Sequence, residues 1–178
     1  VYQTANMIPN LLFELVAGGV LQAVLVPSFV AARRDGGNEA LSDATQATAG
    51  VIVAGLALVA AVGMAISPLV ARVLVLSEPS LAVAREKLDV MFVPQLVSYG
   101  IATVTSAALN AKGRYVAAAV APAVNNVIVI VACLVFRAMR GDEVADLDLT
   151  VGQFAVIAGG TTIGVLAFSL TPALALNA

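Results

Sequence analysis

The 178 residues include no histidine, no tryptophan and only one cysteine. Without histidine there is no imidazole for a metal cluster or for proton transfer near neutral pH. Cys133 has no second thiol to pair with and, set in an apolar run, reads as an inert core thiol. Charge is equally scarce. Only 11% of residues are Asp, Glu, Lys or Arg, where soluble domains carry about 25%. A net charge of −2 gives no electrostatic footprint for nucleic acid. Aromatic residues make up 5%, too few for a pronounced interfacial belt. No paired carboxylates, metal cluster or activated nucleophile emerge, so the chain reads as a non-enzyme that calls for no cofactor.

What fills the chain is Ala, Val and Leu. Hydrophobic residues reach 61% and mean hydropathy is +1.00, more apolar surface than a soluble fold of this length can hide. An integral membrane protein resolves the mismatch. A helical span needs about 20 mainly apolar residues, and five stretches qualify, at about 1–31, 45–76, 90–111, 115–139 and 151–174. They are too long for strands and lack alternation, so the expected fold is all-α, a polytopic transmembrane bundle. Apolar sequence starts at Val1 with no charged leader, and the last residues are as abrupt, so the chain reads as a piece of a longer protein.

The connections carry turn and breaker residues. Arg33-Arg34-Asp35-Gly36-Gly37 ends the first span, and a loop is expected over Arg33–Asp43. Ser77 and Pro79 fit a cap and first helical position ahead of the third span. Between the third and fourth spans, Asn110 to Arg114 reads as a tight hairpin, with Gly113 suited to a left-handed cap and the Asn110 side chain to a helix end. Arg33, Arg34, Lys112 and Arg114 would share one side of the membrane; Arg72, Arg85, Lys87, Arg137 and Arg140 would share the other. Four against five gives no orientation by charge.

Prolines fall inside nearly every span: Pro9 and Pro27 in the first, then Pro68, Pro94 and Pro122, with Pro172 closing the fifth. Each interior proline removes one backbone hydrogen bond and marks a candidate kink. Gly160 and Gly164 form a small-xxx-small pair, expected to pack within the chain.

The first span is the least ordinary. Gln3, Asn6, Asn10, Glu14, Gly18 and Gln22 recur at spacings of three or four, so they share a face. A carboxylate at mid-membrane costs at least a few kcal/mol, so this stripe cannot face lipid. It either hydrogen-bonds to other helices or lines a hydrophilic cavity. Asn6, Asn10, Glu14 and Gln22 are therefore candidate pathway residues. Asn125 and Asn126, paired inside the fourth span, join them, and at least one should hydrogen-bond across a helix interface.

Several segments, in order, resemble the MurJ/MviN family of bacterial lipid II flippases, within the multidrug and polysaccharide exporter superfamily. They are Ala5-Asn6-Met7-Ile8-Pro9-Asn10-Leu11-Leu12, Gly18-Gly19-Val20, Val26-Pro27, Phe92-Val93-Pro94, Ala108-Leu109-Asn110-Ala111 with Arg114, Ala121-Pro122 with Asn125, and Gly160 to Leu166. The resemblance implies that the chain is part of the N-terminal lobe of a two-lobed transporter of about fourteen spans, supplying the second to sixth. It implies a cytoplasmic side for Arg33, Arg34, Lys112 and Arg114. It also implies alternating access that flips lipid II, the undecaprenyl-pyrophosphate-linked precursor of peptidoglycan, across the bacterial cytoplasmic membrane, coupled to a cation or to the membrane potential. Membrane lipids are the other expected partners.

One departure stands out. Where well-known members carry two arginines after the Pro-Asn, this chain has Phe13 and Glu14. That keeps two alternatives open: a polysaccharide-lipid or cation-coupled drug exporter of the same superfamily, or a non-transporting membrane scaffold.

Overall fold

The computed structural model describes residues 20–74, 95–141 and 150–177, and every element in them is helical: α1 (Val20–Leu74), α2 (Gln95–Ala111), α3 (Tyr115–Arg140) and α4 (Val151–Asn177). Asn6, Pro9, Asn10, Phe13, Glu14, Ser77, Pro79 and Pro94 lie outside these residues.

At 1.5 Å per residue, a straight α1 would run about 80 Å, far more than a bilayer's thickness. It is not straight. Only Gly36 (φ −139°, ψ 17°) and Gly37 (φ 70°, ψ −154°) leave helical angles, dividing α1 into a first arm, residues 20–35, and a second arm, residues 38–74. The sequence predicts a loop as far as Asp43, yet helix resumes at once after Gly37. The reason is tertiary. Leu41 is seated in the core, 1% exposed, and the Thr45 hydroxyl donates to the Leu41 carbonyl at 2.7 Å. Burying Leu41 on one helical face holds its neighbours in helix, so the breaker shrinks to its two glycines.

α2 is the hub and contacts α1, α3 and α4. Most of its residues are buried, and many are small: Ala102, Thr103, Ser106, Ala107, Ala108 and Ala111. Inside a membrane, lipid tails are as apolar as leucine, so helices associate through close packing, which small residues permit. The main cluster joins Leu25 and Phe29 of the first arm, Leu41 of the second, and Val104, Ala107, Ala108 and Ala111 of α2. Farther along, Ile52 and Leu56 press on Gly100, and Ala60 and Met64 pack with Leu96.

α3 and α4 form the other tight pair. Gly160 faces Ala132, and Gly164 faces Asn125 and Val129, so close that a β-carbon on either glycine would collide with its neighbour. The glycine pair therefore packs within the chain, as the sequence predicts. α3 offers only a narrow stripe to this contact, with Ala121 and Ala132 buried. Cys133, one residue past Ala132, is turned about 100° around the helix and is exposed. It is not the core thiol that its apolar surroundings predict.

Pro172 does not close α4, which continues to Asn177. Past the proline, the Ala175 and Leu176 carbonyls accept hydrogen bonds from Arg114 and Lys112. Helical angles likewise persist through Pro27 and Pro68, because only the two glycines depart from them in α1. Among the described residues, three helical stretches, Leu21–Ile66, Tyr115–Arg140 and Val151–Leu176, are long and apolar enough to cross a membrane. Their outward faces carry Val51, Leu58, Val127, Ile130, Leu134, Ile163 and Leu174, all exposed. The chain is an all-α membrane helix bundle.

Candidate functional site

Four basic residues, Arg33, Arg34, Lys112 and Arg114, lie around the hairpin that joins α2 to α3. Gly113 takes φ 76°, the left-handed cap predicted for it. Arg114 N–H donates to the Leu109 carbonyl at 2.9 Å and Gly113 N–H to the Asn110 carbonyl at 3.0 Å. These two bonds form a Schellman motif closing α2. Backbone groups satisfy the end, which leaves the Asn110 side chain free for another task. It reaches across to α1, donating to Gln22 Oε1 at 3.5 Å.

The cations around this hairpin sit on helix carboxyl ends. Arg33 donates to the Ala111 carbonyl at 2.9 Å, the last residue of α2. Lys112 donates to the Leu176 carbonyl at 3.3 Å, and Arg114 to the Ala175 carbonyl at 2.7 Å. A helix C-terminus carries about half a negative charge on its unsatisfied carbonyls, and cations stabilise it. Three of the four basic residues expected on one side are thus tied to backbone oxygens; Arg34 is exposed beside them. The end binds the bundle to itself: α1 to α2 through Arg33, and the α2–α3 hairpin to α4 through Lys112 and Arg114.

Gln22 is the one candidate of the polar stripe within the described residues. It is partly buried and turned toward Asn110 of α2, so at this position the stripe makes interhelical hydrogen bonds.

Asn125 and Asn126 lie mid-way along α3. Asn125 donates to Asn126 Oδ1 at 3.4 Å. Its own Oδ1 is buried and has no hydrogen-bond partner among the described residues, lying against Gly164. The expected bond across the helix interface is therefore not made by Asn125; its amide fills the space that Gly164 vacates. Asn126 is exposed, an amide within an otherwise apolar span.

Two polar features escape the sequence reading. Gln95, 4% exposed, donates through Nε2 to Thr162 Oγ1 at 3.0 Å, a bond between α2 and α4, while its Oε1 is buried without a partner among the described residues. Nearby Tyr99 meets Phe168 edge to face, with centroids 6.0 Å apart. No local signal marks Gln95, because its partner is 67 residues away. The second feature was legible. Thr150 and Gln153 form a capping box at the start of α4: Thr150 N–H donates to Gln153 Oε1 at 3.0 Å, and Gln153 N–H to Thr150 Oγ1 at 3.2 Å. Thr-x-x-Gln before an apolar run is the signature of that motif.

The described part thus presents a packed lobe whose polar groups hold helices together. No solved structure is significantly similar to the chain. The family model described as lipid II flippase MurJ matches residues 1–177. With all but the final residue matched, the chain belongs to the MurJ lipid II flippase family.

Proposed function

We propose that the chain forms five spans of the N-terminal lobe of a transporter that flips lipid II across the bacterial cytoplasmic membrane by alternating access. The observation that carries this reading is the family match over residues 1–177. The bundle suits it physically. Apolar outer faces fit a lipid environment, and tight glycine contacts make α3 and α4 a body that moves as one. The transporter works without covalent chemistry: its task is to shelter a polar headgroup while the lipid tail stays in the bilayer.

In this reading Asn6, Asn10 and Glu14 line the headgroup path, because a carboxylate and two amides at membrane depth require polar surroundings. Gln22 ties the end of that stripe to α2 through Asn110. Asn126, exposed on α3, offers a further amide. Pro9, Pro27, Pro68, Pro94 and Pro122 are places where spans bend between states. The end bearing Arg33, Arg34, Lys112 and Arg114 faces the cytoplasm, and a cation or the membrane potential drives the cycle.

The test is complementation. The full-length protein should sustain growth of a bacterium depleted of its own lipid II flippase, and Glu14→Gln should weaken that rescue. Stable membrane insertion without rescue would contradict the proposal. Glu14 itself favours a second reading, a cation-coupled exporter of the same superfamily, which predicts cation-dependent export of another lipid-linked sugar or a drug and no rescue.

A further inference from the structure

We infer that Gly36–Gly37 is a working hinge. About it, the first arm of α1 moves between a state latched onto the last turn of α2 and a released state, with Arg33 as the main latch. This inference concerns the motion of one arm and stands whatever the transported substrate.

The pivot is confined to two residues. Gly36 and Gly37 alone depart from helical angles in the 55-residue α1. Gly37, at φ 70° and ψ −154°, occupies backbone space that side chains rarely adopt. Both glycines are exposed, and nothing lies within 4 Å of where a β-carbon on Gly37 would be. Gly36 lies against Ala40, whose side chain would stand 2.6 Å from a β-carbon there, so only Gly37 is free of packing. Hinges take this form: one or two residues absorb the change in φ and ψ while the helices on either side stay intact.

The two arms are anchored unequally. The second arm packs along most of α2, from Leu41 in the main cluster, through Ile52 and Leu56 on Gly100, to Ala60 and Met64 on Leu96. The described first arm packs on the carboxyl half of α2, where Leu25 and Phe29 join Val104, Ala107, Ala108 and Ala111. Its polar contacts converge on the same turn: Gln22 with Asn110 and Arg33 with the Ala111 carbonyl. Gln22 and Arg33 are eleven residues apart, roughly 16 Å along a helix, yet they bond to adjacent residues of α2. Beyond that apolar contact, the arm is held by these two side-chain hydrogen bonds, one of them 3.5 Å long.

The second arm and α2 form the fixed body, and the first arm is the lever. Release breaks the Arg33 bond, frees the α2 carboxyl end and rotates the arm at the glycines.

The experiment is pulsed electron spin resonance on the full-length protein in lipid nanodiscs, in a background without reactive cysteines (Cys133→Ser here). One pair of labels, at Val24 on the first arm and Val127 on α3, both exposed, reports the lever. A second pair, at Leu58 on the second arm and Val127, also exposed, reports the body. The lever pair should show a docked distance and a second population. Arg33→Ala should enlarge the second population at least about threefold, and Gly36→Ala with Gly37→Ala, whose β-carbons the docked backbone does not accept, should deplete the docked distance. The body pair should stay single and narrow throughout. Should the body pair broaden in the double glycine variant, the Arg33→Ala comparison decides alone. A lever distance that is single and narrow, and that Arg33→Ala leaves unchanged, would overturn the inference.

Discussion

Gly164 of α4 lies so close to α3 that a β-carbon there would stand 2.7 Å from Asn125 Oδ1 and 3.3 Å from the Asn125 carbonyl oxygen. The contact couples a missing side chain on one helix to an amide on the other. Gly164→Ala should therefore destabilise the protein by about 1–3 kcal/mol, the usual range for overpacking a filled interface. Adding Asn125→Ala should recover most of that loss, because it removes both the obstruction and a buried oxygen without a partner. Thermal unfolding of the four-member cycle in detergent measures the coupling. An undiminished penalty in the double variant would mean that the backbone, and not the amide, sets the limit.

The bond between Gln95 and Thr162 joins α2 to α4 through two side chains in an apolar setting. Thr162→Val alone should cost about 1–3 kcal/mol, since it leaves the whole Gln95 amide buried and unpaired. Gln95→Leu combined with Thr162→Val should lie close to the unsubstituted protein, because no orphaned polar group remains. The same unfolding measurement checks it. Equal losses in the single and double variants would contradict this account of Gln95.

The hairpin and its cations give a third prediction. Gly113→Ala should destabilise by about 1–2 kcal/mol, because φ 76° is left-handed backbone that alanine adopts only at a penalty. Lys112→Met and Arg114→Met should each cost less, about 0.3–1 kcal/mol. Their effect should be localised: hydrogen exchange should speed up in the last turns of α4, where Ala175 and Leu176 supply the accepting carbonyls. Uniform acceleration over α3 and α4 would mean that these cations support the fold generally and do not act as end caps.

The parts of this structure legible in the sequence are those fixed locally. Gly113 closes α2 because a left-handed residue is needed within a few positions of the helix end. The glycine pair at 160 and 164 needs only its spacing to place a groove on one face. What the sequence conceals depends on contacts between distant residues. The break after Arg33 is visible, but its shortness comes from Leu41 entering a core that α2 completes. Pro172 resembles a stop, yet α4 passes through it to Asn177, and Lys112 and Arg114, more than sixty residues earlier, donate to carbonyls of its last turn. Arg33 reads as a surface charge until α2 presents Ala111 to it. Of the stripe on the first span, Gln22 alone falls within the described residues, so its bond to Asn110 speaks for the end of the stripe and not for Glu14.

The most direct test of the central claim asks where lipid II resides. In cells whose native flippase has been depleted, the full-length protein should make lipid II accessible to a lipid II-cleaving enzyme added outside the cytoplasmic membrane. The family assignment and the polar stripe together predict restored cleavage, reduced by Glu14→Gln at equal protein abundance. Lipid II that stays fully protected, while the protein is present in the membrane at normal levels, would contradict the account.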